Sequence, residues 1–235
     1  MADGFSNKPR ILRGAFVEFG LSMPPLLVVF QFNPLQLTRN RNLMYDVPNS
    51  PSSTQGAKKP RTLRQFHCLA KDLPTLQKEQ LVTVEEQTIG FEIRLDATDK
   101  LNDRDTITEN FGIAPQLATL ELMVYPKGES LLGKAVSTLL GNPKGFSFTR
   151  GDNPPLVLFI WGRKRVLPVN INTMNITETE FSTDLNPIRA TVAVSLTVIE
   201  GNSIPYLYSK LMTEAMSALN LANIAEVKDF VRLPG

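Results

Sequence analysis

One cysteine, Cys68, and one histidine, His67, are all that 235 residues offer for thiol or imidazole chemistry. The lone thiol excludes an intramolecular disulfide framework and a cysteine zinc site. No nucleophile–base–acid set can be assembled around the lone imidazole, so His67 and Cys68 are read as a pair on a strand edge. Charge of one sign is also scarce: 25 Lys and Arg against 23 Asp and Glu leave a net charge of +2. That balance gives no whole-molecule attraction to nucleic acid or anionic membrane. The longest apolar run, around residues 26–32, is far too short for a bilayer. Residues 1–20 include Glu18 and show no basic-then-apolar leader. The expectation is a soluble, cytoplasmic chain without membrane insertion.

Other sites are excluded by spacing. Gly141-Asn142-Pro143-Lys144-Gly145 lacks the order of a phosphate-binding loop. The acidic stretch 96–105 puts Lys100 and Leu101 at the fifth and sixth positions, where a calcium loop needs an oxygen ligand and a glycine. Glu178 and Glu180 share a strand face but imply no cleft between them. There is no internal repeat, heptad array or low-complexity tract. The expectation is a protein that is not an enzyme and has no metal or cofactor.

What the chain does contain is alternation. Leu167, Val169 and Ile171 point one way from a strand, Asn170 and Asn172 the other. The phase slips at Asn172-Thr173, which predicts a β-bulge there. After the turn Asp184-Leu185-Asn186-Pro187, the residues Ala190, Val192, Val194, Leu196 and Val198 face inward. Arg189, Thr191, Ser195 and Thr197 face outward. With the run Leu156–Trp161 and the basic turn Gly162-Arg163-Lys164-Arg165 before them, these segments predict an antiparallel meander. Upstream, Val84–Asp96 reads as a half-buried strand. Residues 15–19 and 26–32 read as strands around a turn at 22–25. The second is apolar on both faces and is expected beneath another layer or at a subunit contact.

Helices are fewer. Thr106-Ile107-Thr108-Glu109 has capping-box spacing, Gly112 stops that turn, and Pro115 opens a helix carrying Leu117, Leu120 and Val124. Residues 131–140 suggest a second short helix. Residues 1–9 form a polar arm. Residues 46–65 and 141–155 read as long loops, the first expected to order only against a neighbouring subunit. From Pro205, the residues Leu207, Leu211, Ala215, Leu219 and Ala222 make an apolar stripe, to be buried on the same domain or on a neighbour. The fold class is therefore mainly β with flanking helix (α+β): an antiparallel sandwich or barrel with one packed helix and a C-terminal helical tail. Residues 1–201 are expected to form the β domain and 202–235 the helical extension.

Leu158-Phe159-Ile160-Trp161-Gly162-Arg163-Lys164-Arg165-Val166-Leu167-Pro168-Val169, then Ile176-Thr177-Glu178 and Leu185-Asn186-Pro187-Ile188-Arg189-Ala190, resemble the tube-type domain of contractile injection systems. Phe30-Gln31-Phe32-Asn33-Pro34 resembles that family's opening motif. The similarity spans most of residues 12–201 and is closest in kind to the tube-initiator or hub protein, between the inner tube and the spike. Many members continue into a peptidoglycan-binding LysM module, in whose place residues 202–235 read as a helical tail.

The resemblance implies a structural baseplate or tube component forming a hexameric ring within an assembled particle. Its partners would be inner tube, spike and baseplate proteins rather than nucleic acid. The interface would draw on Arg163, Lys164, Arg165, Asn186, Pro187, Arg189, Phe30, Phe32 and Asn33. Two other roles stand beside it: a cap at the tube's far end, and a stand-alone β domain binding cell-wall carbohydrate.

Overall fold

The computed structural model describes residues 12–20, 26–46, 62–70, 72–126 and 153–220. The arm 1–9, the turn 22–25, nearly all of the loop 46–65, the helix expected over 131–140 and most of the loop 141–155 lie outside them. The chain divides into two units, residues 1–38 with 88–235 and residues 39–87.

The larger unit is mainly β. Its strands are β1 (Ala15–Glu18), β2 (Leu27–Val29) and β3 (Leu37–Asn40). The smaller unit contributes β4 (Leu43–Asp46) and β5 (Leu81–Val84), and the larger then continues with β6 (Thr88–Asp96), β7 (Val157–Trp161), β8 (Arg165–Phe181) and β9 (Pro187–Val198). Seven of these make one curled antiparallel sheet in the order β2-β1-β7-β8-β9-β6-β3. The β7-β8-β9 meander forms as the alternation predicts. The register jumps between Ile171 and Thr173, leaving Asn172 as the extra residue of a bulge. Its amide donates to Thr197 Oγ1 (2.7 Å), which ties the bulge to β9.

Period-two patterning decides the core. Ile89, Phe91, Ile93 and Leu95 of β6 meet Ala190, Val192, Val194, Leu196 and Val198 of β9 in one buried cluster. Phe16, Phe30, Phe91 and Phe159 fill its centre, with neighbouring ring centroids 5.2–6.5 Å apart. Each such ring contributes about 1.5–3 kcal/mol by leaving water. Helices α3 (Thr98–Asn102), α4 (Thr106–Phe111) and α5 (Ala114–Leu122) follow β6 after the smaller unit's α1 (Leu63–Leu69) and α2 (Leu73–Glu79). Leu117 and Leu120 of α5, with Ile113 and Met123, join the core cluster.

Several local expectations change. The cap of α4 is Asp105, whose carboxylate accepts from the Thr108 amide, so Thr106 is already inside the helix. A carboxylate at this position satisfies a free helix-start amide. Strand β2 is a short edge strand rather than a covered one. Leu26, Val28 and Phe30 turn inward, while Leu27 and Val29 remain about half exposed. His67 and Cys68 sit on α1, not on a strand.

The last helix, α6 (Ile204–Asn220), starts beside Pro205 as predicted, but its apolar stripe does not cover the sheet. Leu207, Leu211 and Leu219 are exposed, and Ser209 is the buried residue of the helix. The cause lies in the ladder: β9 ends opposite Val169, so the start of β8 has no β9 partner. Ser209 Oγ fills in, accepting from the Val166 amide (2.8 Å) and donating to the Val166 carbonyl (2.7 Å). Buried backbone groups need such partners.

In the smaller unit, β4 and β5 pair antiparallel. Thr62 and Gln65 form a full capping box on α1, and Asp72 caps α2.

Candidate functional site

Phe30-Gln31-Phe32-Asn33 acts as a clasp within the chain. Phe30 is fully buried, and its amide donates to the Gly14 carbonyl (2.8 Å). A Cβ on Gly14 would stand 2.6 Å from the Phe30 ring and 2.9 Å from Trp161, so glycine lets the aromatics close over the strand. The Gln31 side chain imitates a strand neighbour for Asp96: its amide donates to the Asp96 carbonyl, and its oxygen accepts from the Asp96 amide. Asn33 does the same for the entry to β1, accepting from the Gly14 amide and donating to the Leu12 carbonyl. Of the motif, Phe32 alone presents a large exposed apolar side chain.

Asn186 and Pro187 hold the far end of the β8–β9 hairpin against the α4–α5 corner, and Arg189 ties the same end across the sheet. Asn186 donates to the Asn110 carbonyl (2.7 Å), and the Pro187 carbonyl accepts from the Ile113 amide (2.9 Å). Arg189 lies opposite Asp96 on β6 and Glu180 on β8. It bridges both carboxylates, at 2.8 and 2.7 Å. Cross-strand opposite charges of this kind stabilise a sheet modestly, and exposure keeps each pair small.

Burial pushes the Asp96 carboxyl up, but hydrogen bonds from the Thr98 side chain and amide and from Arg189 outweigh it, leaving its pKa below the ordinary value. Asp105 is held low in the same direction, by the Thr108 hydroxyl and amide. A carboxyl whose folded pKa is depressed adds stability above its unfolded pKa, and that stability is lost as pH falls through the folded pKa. The melting temperature is therefore expected to fall as pH drops below about 4. Asp96→Asn should flatten that acid limb while lowering the plateau near neutrality. A parallel acid limb in wild type and variant would contradict the assignment.

The basic turn lies at the other end of the 17-residue β8, up to roughly 50 Å from Phe181. Arg163 and Lys164 are exposed at the tip, and Arg165 already pairs with Trp161 in the ladder. Helix α6 braces this end: Tyr208 Oη donates to the Arg163 carbonyl (2.9 Å), and Lys164 Nζ contacts Met216 Sδ at 3.3 Å. Gly14, Phe30 and Trp161 meet at the same end. One rim thus gathers the Asn33 clasp, Trp161 and the basic tip. The basic tip and the Arg189 cluster lie at opposite ends of β8, and the 30–33 segment reaches toward both, meeting Trp161 across Gly14 and, through Gln31, the Asp96 that Arg189 bridges.

For chemistry the described residues offer little. No group of three or more His, Cys, Asp or Glu side chains converges among them. His67 Nε2 lies 3.3 Å from the Gln80 amide, and Cys68 is exposed. A recess between the end of β6 and helices α3–α5 is walled by Gln31, Asp96, Lys100, Asp105, Thr108 and Gln116. Its Gln31 and Asp105 side chains are already bonded to other wall groups, and the Asp96 carboxylate is taken by Thr98 and Arg189 outside the wall. No protein-family model matches the chain, and no curated protein matches it.

Proposed function

We propose that the protein is a structural subunit of a contractile injection system, forming a ring that links the inner tube to the spike and baseplate. The observation that carries this reading is the open, curled sheet. Its edge strand β2 pairs on one side with β1 and shows Leu27 and Val29 to solvent on its outer face. An unpaired apolar edge invites another strand, and closing a ring of sheets removes the edge. The resemblance of 158–190 and 30–34 to tube-type domains supplies the class of assembly and its hexameric form. The work done is geometric: no bond is made or broken, and the ring sets the diameter and register on which the tube is built.

The test is co-assembly. Imaging by electron microscopy of particles made with and without the chain should show a ring at the spike end of the tube only when it is present. A ring at the far end would favour a cap. A persistent monomer pulled down by insoluble cell-wall material would favour the carbohydrate-binding role instead.

The basic tip gives a second experiment. Charges at a rim set register and partner choice more than affinity, so an acidic rim on the adjoining ring would receive Arg163, Lys164 and Arg165. Replacing all three with Ser should leave the melting temperature of the isolated chain nearly unchanged, because a turn tip adds little to the core. It should reduce particle yield, and wild-type docking should weaken as salt rises. Normal yield with the triple variant would remove the tip from the interface.

A further inference from the structure

Helix α6 is fastened to the sheet by hydrogen bonds, with little apolar burial beneath it. Its one buried residue is Ser209, and every residue from Glu214 to Asn220 is exposed. Ile204, Leu211 and Leu219 are 84%, 58% and 64% exposed, so lifting the helix would bring little new apolar surface into water. Among the described residues, Tyr206 is the only α6 side chain packed against the core cluster. The polar fasteners gather at the base of the basic tip. Ser209 takes both backbone groups of Val166, Tyr208 Oη donates to the Arg163 carbonyl, and Met216 Sδ meets Lys164 Nζ. A helix in a folded protein owes most of its stability to the packing of an apolar face. Elements with few buried apolar contacts open before the rest of the structure.

The link to β9 leaves room for that movement. Strand β9 ends at Val198, and the Ile199 amide is still bonded to the Pro168 carbonyl (2.8 Å). Residues 201–203 then run exposed to the start of α6, and an added Cβ on Gly201 would have nothing within 4 Å.

We infer that α6 is a strap that lifts from the sheet as a unit, pivoting at 201–203, while the sheet stays folded. Closed, it covers the edge of β8 at Val166 and ties Arg163 and Lys164 at the tip. Open, it leaves Val166 with a bare donor and acceptor at that edge and releases both tip residues. The rim beside the basic tip thus switches from a helix-covered edge to one ready for a strand. The inference concerns the isolated chain and does not rest on the ring reading. Amide exchange and particle imaging use different samples, so either can fail without the other.

Amide hydrogen exchange of the full chain, followed residue by residue by NMR, is the test. The α6 amides and the Val166 amide should exchange through one opening, populated ~100-fold or more above global unfolding and only weakly dependent on denaturant. The Leu167 amide, opposite Phe159 of β7, and the β9 amides should exchange only with the sheet. Ser209→Ala leaves both Val166 groups unsatisfied in the closed state and should raise the open population about tenfold, although alanine is the better helix former. The melting temperature of the sheet should hold. Ser217→Ala, the same change on an exposed turn of α6, should leave the open population no higher. Exchange of α6 only at the rate and denaturant slope of β9 would overturn the inference, as would a Ser209→Ala effect no larger than that of Ser217→Ala. So would faster exchange in α6 with Val166 unchanged, which is fraying of the helix rather than lifting of a strap.

Discussion

Gly112→Ala is expected to lower the melting temperature of the isolated chain by about 10 °C. Two costs coincide at this residue. Its φ of +57° with ψ of −131° is a conformation that a side chain strains, at about 1–3 kcal/mol. A Cβ there would also stand 2.0 Å from the Pro187 carbonyl oxygen, which accepts the Ile113 amide. The obstacle is backbone, so it cannot swing away as a side-chain tip would. Relief requires separating the α4–α5 corner from β9, which breaks that bond and strains the Asn186 contact with Asn110. Gly201→Ala is the control, because nothing lies within 4 Å of its added Cβ. A shift in Gly112→Ala no larger than in the control would mean the corner is not seated on the hairpin as described.

Phe30→Ala should cost about 3–5 kcal/mol in the same assay. The ring is fully buried among Phe16, Phe91 and Phe159 and roofs Gly14. Truncation leaves a cavity that neighbouring strands, locked in register, cannot collapse into. This separates two roles for the motif. If Phe30 served a subunit contact, the variant would melt normally and only assembly would fail. Loss of stability in the isolated chain assigns it to the core, leaving exposed Phe32 as the residue of that segment able to meet a neighbour.

Much of the sheet was legible because period-two patterning is local and β9 and β6 obey it residue by residue. The bulge was legible too, since one extra residue shifts every later side chain to the other face, as at Asn172. Pairing partners were not. That β1 enters between β2 and β7, and that β6 joins β9, are long-range facts with no local signature. Helices α1 and α2 carry local signals of their own: Thr62-x-x-Gln65 is a capping box, and Asp72-Leu73-Pro74 is a helix start. The stripe on α6 was visible, but its outward orientation was not. It depends on Ser209 replacing a missing strand partner, which periodicity cannot express. For the candidate site, the basic turn at 163–165 was placed correctly at a hairpin tip. Asn33, Asn186 and Arg189 stand out in the sequence only by motif position, and their side chains bind the chain's own backbone and acids.

These features support a division of labour. One end of β8 is closed by the Arg189 bridges and the seated α4–α5 corner, and the other carries an exposed basic tip braced by α6. In the proposed ring, edge strand β2 would serve lateral pairing and the tip axial docking, the two directions in which stacked rings are held. The most direct measurement of that account is electron-microscopic imaging of injection particles assembled with and without this chain. The account predicts a closed, six-fold ring of density joining tube to spike in the first sample and its loss in the second. Identical particles in both samples, with the chain remaining outside them, would contradict it.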